Sequence, residues 1–190
     1  HQHNEQEKGP ILVEKMRAGM KVALISDAGL PGISDPGYDL VQKALEAGIQ
    51  VTAVPGPTAA LTALVISGLP TERFVFEGFL PRASKERKEV LEMLKEERRT
   101  IILYEAPHRL LSTLEELLEA LGDRPLAIVR ELTKKYEEVR RGTISTLKEY
   151  YQHREPKGEF TLVLGGKPAS DPQEIDLDLL VEEVFALEKQ

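Results

Sequence analysis

The chain has 190 residues, room for one large α/β domain or two small ones sharing a cleft. It has no cysteine, which excludes disulfides and thiolate metal sites, and no apolar run long enough to span a bilayer; the cytoplasm is the expected compartment. A net charge of −7 excludes a protein that coats nucleic acid, although basic residues gather at Arg82, Lys85, Arg87 and Lys88, at Lys134 and Lys135, and at Arg140 and Arg141.

Two periodicities alternate along the chain. Residues 10–17 read as a helix, followed by the strand-length apolar run Val22–Ile25. After a Gly/Pro-rich loop, Leu40, Val41, Ala44 and Leu45 define a helix over 38–46, with Gly48 at its C′ position. A strand over 50–54 runs through Pro55-Gly56-Pro57 into a small-residue helix over 58–66. Short connections between such elements predict a parallel sheet with helices on its faces. The pattern breaks near Gly68-Leu69-Pro70. Beyond it the chain predicts strands over 74–79, 100–104, 126–130, 138–140 and 159–164. Helices are predicted over 84–96, 107–121 and 143–153, then an acidic one over 173–188. The reading is α/β: an N-terminal domain over 1–69, a C-terminal domain over 70–166 and an acidic helical tail over 167–190.

In an α/β fold, ligands bind where strands end and loops begin. The loop Ser26-Asp27-Ala28-Gly29-Leu30-Pro31-Gly32-Ile33-Ser34-Asp35-Pro36-Gly37 combines glycines that admit a ligand close to the backbone with prolines that stiffen it. Asp35 is placed to cap the helix that follows. The second loop, Pro55 to Ala60, leads from a strand end to a helix N-terminus, where small residues leave room for a flat ring and amides for polar atoms. Neither loop is a GxGxxG fingerprint or a P-loop, no Gly-x-Ser-x-Gly elbow occurs, and neither the aspartates nor the histidines have metal-ligand spacing. No metal is expected.

Together, residues 26–37 and Val54-Pro55-Gly56-Pro57-Thr58-Ala59-Ala60-Leu61 resemble the two cofactor loops of tetrapyrrole-methylase-fold enzymes. Phe76 to Arg82 (FEGFLPR), Tyr104 to Leu110 (YEAPHRL), Arg130 to Lys134 (RELTK) and Arg141-Gly142-Thr143 narrow the likeness to the ribosomal RNA small subunit methyltransferase I family. That resemblance implies two α/β domains with a cofactor cleft between them, S-adenosyl-L-methionine as cofactor, and 2′-O-methylation of a cytidine in small-subunit (16S) ribosomal RNA by a homodimer. It implies cofactor contacts from Asp27, Ala28, Gly29, Leu30, Pro31, Thr58, Ala59, Glu105, Ala106 and Gly142. Because a ribose hydroxyl is a weak nucleophile, Glu105 at a strand end is the first choice of base. Arg82, Lys85, Arg87, His108 and Arg109 are the expected RNA contacts. The family's opening strand and its Glu-Asp-Thr-Arg segment have no counterpart here. The expectation is therefore an N-terminally truncated chain whose N-terminal sheet lacks its first strand and exposes an edge. Competing readings are a tetrapyrrole (precorrin-type) methyltransferase, a diphthine-type protein methylase, and a non-catalytic RNA-binding module of the same fold.

Overall fold

A computed structural model describes residues 5–168. Three helices come first: α1 (Glu5–Arg17), α2 (Tyr38–Glu46) and α3 (Ala59–Ser67). There follow β1 (Phe74–Phe79), α4 (Ser84–Lys95), β2 (Thr100–Glu105), a 3-10 turn (Pro107–Arg109), α5 (Leu110–Leu121), β3 (Pro125–Arg130), β4 (Glu138–Thr143), α6 (Ile144–Gln152) and β5 (Phe160–Leu164). The strands form one sheet in the order β1-β2-β5-β3-β4. β1 and β2 run parallel, and the other neighbouring pairs are antiparallel.

Alternation along the central strands explains the layers. Ile101 and Leu103 of β2, Leu126 and Ile128 of β3, and Phe160, Leu162 and Leu164 of β5 enter one core with α4, α5 and α6. Their odd-numbered or even-numbered neighbours Ile102, Ala127, Val129 and Val163 face the other way and meet Ala60, Ala63 and Leu64 of α3. A sheet covered on both faces needs apolar residues at successive positions, which is why these strands read as continuous apolar runs. α3, grouped by sequence with the N-terminal domain, thus packs on the sheet of the following segment. Arg141 of β4 fixes it there, donating to the carbonyls of Ser67 (3.1 Å) and Ile66 at the helix's C-terminal end.

The predicted strands at 22–25 and 50–54 are corrected: both runs lack ladder pairing, and no strand precedes Phe74 among the described residues. A strand exists through its hydrogen-bonded neighbour, and apolar content alone does not supply one. Ile25 is left 85% and Val54 83% exposed. The parallel N-terminal sheet expected from these runs is therefore not formed among the described residues. The predicted acidic helix over 173–188 lies outside the described residues.

Tyr151 of α6 is buried against Phe160, and its hydroxyl has no hydrogen-bond partner among the described residues. Burial first, then the charge of Glu138, pushes its ionisation from the ordinary 10.0 up to about 12. The favoured species is the neutral phenol, so this contribution to stability is whole below pH 10.0 and is lost as pH rises toward about 12. Titration of phenolate absorbance should show a late-ionising tyrosine that Tyr151→Phe removes. A spectrum unchanged by that substitution above pH 10.0 contradicts the assignment.

Candidate functional site: a cleft at the end of β2

A cleft of about 540 Å³ opens at the C-terminal end of β2. The loop after residue 26 supplies one wall through Ala28, Gly29 and Leu30, and Thr58 and Ala59 at the start of α3 supply a second. The end of β2 contributes Tyr104, Glu105 and Ala106, and residues 158–161 contribute the fourth side. Seven of the ten cofactor residues expected from sequence therefore share one cavity: Ala28, Gly29, Leu30, Thr58, Ala59, Glu105 and Ala106.

Local bonding explains the shape of each wall. Ser26 Oγ lies 2.6 Å from Asp35 Oδ2 and 2.8 Å from the carbonyl oxygen of Ala28, its one proton shared between these acceptors, and so pinches the first loop at its base. Asp35 is therefore a loop clasp; Gly37 is the N-cap of α2 and no side chain caps the helix, which corrects the expected capping role. Thr58 is a true N-cap, its Oγ1 accepting from Leu61 N–H at 3.3 Å. The next amide, Ala60 N–H, donates to Tyr104 Oη at 3.2 Å and ties α3 to β2. Burial raises the Tyr104 phenol, with Asp35 adding to the rise while the Ala60 bond opposes it.

Glu105 is 2% exposed. Its carboxylate accepts from Thr113 Oγ1 (2.5 Å) and Ala106 N–H (2.8 Å), and it pairs with Arg109 Nε at 3.5 Å. Thr113 Oγ1 in turn accepts from Arg87 Nη2 at 2.8 Å. The loop over residues 80–83 is gripped from both ends of this chain: Arg109 donates to the Leu80 carbonyl (2.9 Å) and Arg87 to that of Pro81 (3.3 Å). A buried carboxylate with satisfied oxygens is an anchor. Glu105 lines the cleft and, through these bonds, holds its wall in place.

The same bonds revise the RNA contacts. Arg87 is 8% exposed, with its guanidinium on Glu116, Thr113 and Pro81; Arg109 is committed to Glu105 and Leu80. Neither points its charge at solvent, because a buried guanidinium is tolerated only with partners. Arg82, Lys85 and His108 are exposed. They stand near the cleft in sequence, flanking the lining residues Phe79 and Pro107. Asp27 and Pro31 lie in the first loop without lining the cavity. Gly142 is also outside it: a Cβ there would lie 2.6 Å from Thr146 Oγ1, so this glycine serves the packing of β4 on the start of α6.

Sequence reasoning passed over Phe74, Phe76, Phe79, Tyr104, Phe160 and Thr161, all cleft residues. Part of the signal was present. Tyr104 continues the face of Ile102, and Thr161 is its ladder partner on the face of Val163. Gly78 shapes the same wall. Its φ is +62° at a register shift in β1, and a Cβ there would lie 2.9 Å from Ser34 Oγ in the first loop. Gly78→Val should cost about 1–3 kcal/mol through strain and displacement of that loop, read as a lower thermal midpoint; an unchanged midpoint contradicts this role.

Among the described residues no group of three His, Asp or Glu side chains gathers as a metal site, and no helix is long and apolar enough to cross a membrane. Comparison with known proteins adds identity to the geometry. The sequence profile of the tetrapyrrole (corrin/porphyrin) methylases matches residues 1–148. The ribosomal RNA small subunit methyltransferase I of Haemophilus influenzae is 50% identical over 97% of this chain and 69% of its own length. The protein of that name from a Synechocystis species is 48% identical over 98% of this chain and 67% of its own length. Among solved structures, uroporphyrin-III C-methyltransferase of Thermus thermophilus, complexed with S-adenosylhomocysteine, superposes with a TM-score of 0.58 at 21% identity, over 85% of this chain and 73% of that one.

Proposed function

We propose that the chain, which belongs to the tetrapyrrole (corrin/porphyrin) methylase family and within it to the ribosomal RNA small subunit methyltransferases I, binds S-adenosylmethionine in the cleft at the end of β2. Its methyl group goes to the ribose 2′-hydroxyl of a cytidine in small-subunit ribosomal RNA. The observation that carries this reading is the convergence of both glycine- and proline-bearing loops on one cavity of about 540 Å³. That volume falls within the roughly 300–1,000 Å³ of small-molecule sites.

The residues present fit the cofactor. Phe76, Phe79 and Tyr104 offer ring faces to a flat base and to a cationic sulfonium, and the loop backbone from Ala28 to Leu30 offers polar atoms. When bound, S-adenosylmethionine supplies an electrophilic methyl group on sulfur. The chain's own part is alignment and exclusion of water by the apolar lining. Thr58 and the Tyr104–Ala60 bond fix α3 against β2, so the two walls hold their spacing. Glu105 is a positioning residue acting through Ala106 and Arg109. The other carboxylates of the lining, Asp35 and Glu159, are exposed; Ser26 and Lys134 each hold one oxygen, and the second oxygen of either carboxylate receives the hydroxyl proton. Arg82, Lys85 and His108 present positive or polar groups to the RNA at the rim.

Transfer of a tritiated methyl group from S-adenosylmethionine to small-subunit RNA tests this function. The labelled linkage should resist alkaline cleavage, because a 2′-O-methyl group removes the attacking hydroxyl; label on a base, or none in the RNA, contradicts it. The aromatic lining favours one second reading, methyl transfer to a tetrapyrrole. Labelling of a porphyrinogen with no labelling of RNA is the outcome that reading requires.

A further inference from the structure

A second cavity, of about 230 Å³, lies between the β3–β4 end of the sheet and the C-terminal end of α6. Its charged lining is Arg130, Arg140, Arg154 and Lys157 against Glu138 and Glu155, a cationic excess on a chain whose net charge is −7. Glu138 is held by Arg140 and Arg130, and Glu155 pairs with Lys157 at 2.8 Å. Arg154 has no carboxylate partner among the described residues; its guanidinium lies 4.5 Å from the centre of the Tyr150 ring, where that of Arg140 lies at 3.9 Å. Tyr150 is fixed in turn by its hydroxyl bond to Glu138 at 3.2 Å. The pocket is thus a cationic floor stacked on one aromatic ring and held in place before any ligand arrives.

Tyr151 is the second observation. It lines this cavity, is 3% exposed, and carries the hydroxyl that has no partner among the described residues. A buried donor left without an acceptor costs stability, so such a group in a cationic pocket points to an acceptor of negative charge. Guanidinium groups beside a hydroxyl donor suit the oxygens of a phosphate. Position selects the source of that phosphate. Glu155, Pro156 and Lys157 line this pocket, and Gly158 to Thr161, the next residues of the same segment, line the cleft. The two cavities are thus joined by one continuous segment, residues 155–161.

We propose that the pocket formed by Arg140, Arg154, Tyr150 and Tyr151 is a docking subsite for a backbone phosphate of the RNA strand that offers its nucleotide to the cleft. This assignment rests on the RNA-directed reading above and deepens it by placing a second point of contact on the α6 side. The phosphate fixes the register of the strand and carries no sequence information.

The test measures binding of a fluorescent single-stranded oligoribonucleotide by the 190-residue chain and by Arg154→Gln and Tyr151→Phe. S-adenosylmethionine affinity is measured on the same samples, with inorganic phosphate as a separate probe. Arg154→Gln should weaken RNA binding by about tenfold and reduce the slope of log affinity against log salt by about 0.7, one single-strand phosphate contact. Tyr151→Phe, which keeps the ring and its packing, should weaken it by about threefold. Cofactor affinity should be unchanged in both. RNA affinity and salt slope unchanged in both variants overturn the subsite while leaving the methyltransferase reading intact. A wild-type chain that binds S-adenosylmethionine but no oligoribonucleotide overturns the subsite together with the RNA-directed reading. Inorganic phosphate that binds the wild type and is not displaced by RNA marks a free-anion site and overturns the RNA assignment.

Discussion

Phenylalanine in place of Ala59 should lower the affinity for S-adenosylmethionine by about 100-fold or more, about 2.7 kcal/mol, while leaving the fold standing. Ala59 opens α3 at the cleft wall, is half-buried, and lies beside the N-cap Thr58. A ring added there enters the cavity without entering either core cluster, neither of which includes Ala59. The cost of overpacking therefore falls on the ligand and not on the folded chain. Phenylalanine is tolerated in a helix, so α3 should persist, and circular dichroism with a thermal scan verifies it. Retained affinity with an intact fold would place the cofactor elsewhere.

Thr113→Val carries the largest expected loss of stability, about 3–5 kcal/mol, read by urea denaturation with an unchanged m-value. Thr113 is fully buried and mediates between two buried charges, accepting from Arg87 and donating to Glu105. Valine has the same shape and neither function. The guanidinium and the carboxylate each lose a partner while staying buried, which is the costly way to break a buried network. Glu105→Gln retains an acceptor for Thr113 and should cost less. Activity also separates the roles: if Glu105 positions the wall, Glu105→Gln keeps most of kcat, whereas a base replaced by an amide loses about 100-fold or more. A valine variant as stable as the wild type would show that the network contributes nothing to stability.

The sequence motifs were legible as a set of addresses and illegible as a set of duties. An apolar face with a C′ glycine located α2, and a run of small residues located α3 to within a residue, because both are local signals. The glycine–proline loops marked the cleft for the same reason: backbone freedom and stiffness are written in residue type. Pairing is not local. Val22–Ile25 and Thr100–Tyr104 look alike as apolar runs, but only the second meets partner strands on both sides. The direction of a charged side chain is equally non-local. Arg82 and Arg87 stand in one basic cluster, yet one is exposed and the other reaches Glu116 and Thr113 on a different helix. The segments FEGFLPR and YEAPHRL are joined through Arg109, Glu105, Thr113 and Arg87, and Arg141 of Arg141-Gly142-Thr143 secures α3. At Arg87, Arg109 and Glu105 the side chains are bonded to the walls of the cleft.

Calorimetric titration of the chain with S-adenosylmethionine, repeated on Ala59→Phe, decides whether this cleft holds the methyl donor. The wild type should show saturable one-to-one binding and competition by S-adenosylhomocysteine, and the variant should lose the heat. No binding by the folded wild-type chain, or binding undiminished by the phenylalanine, would contradict the assignment of this cleft to the methyl donor.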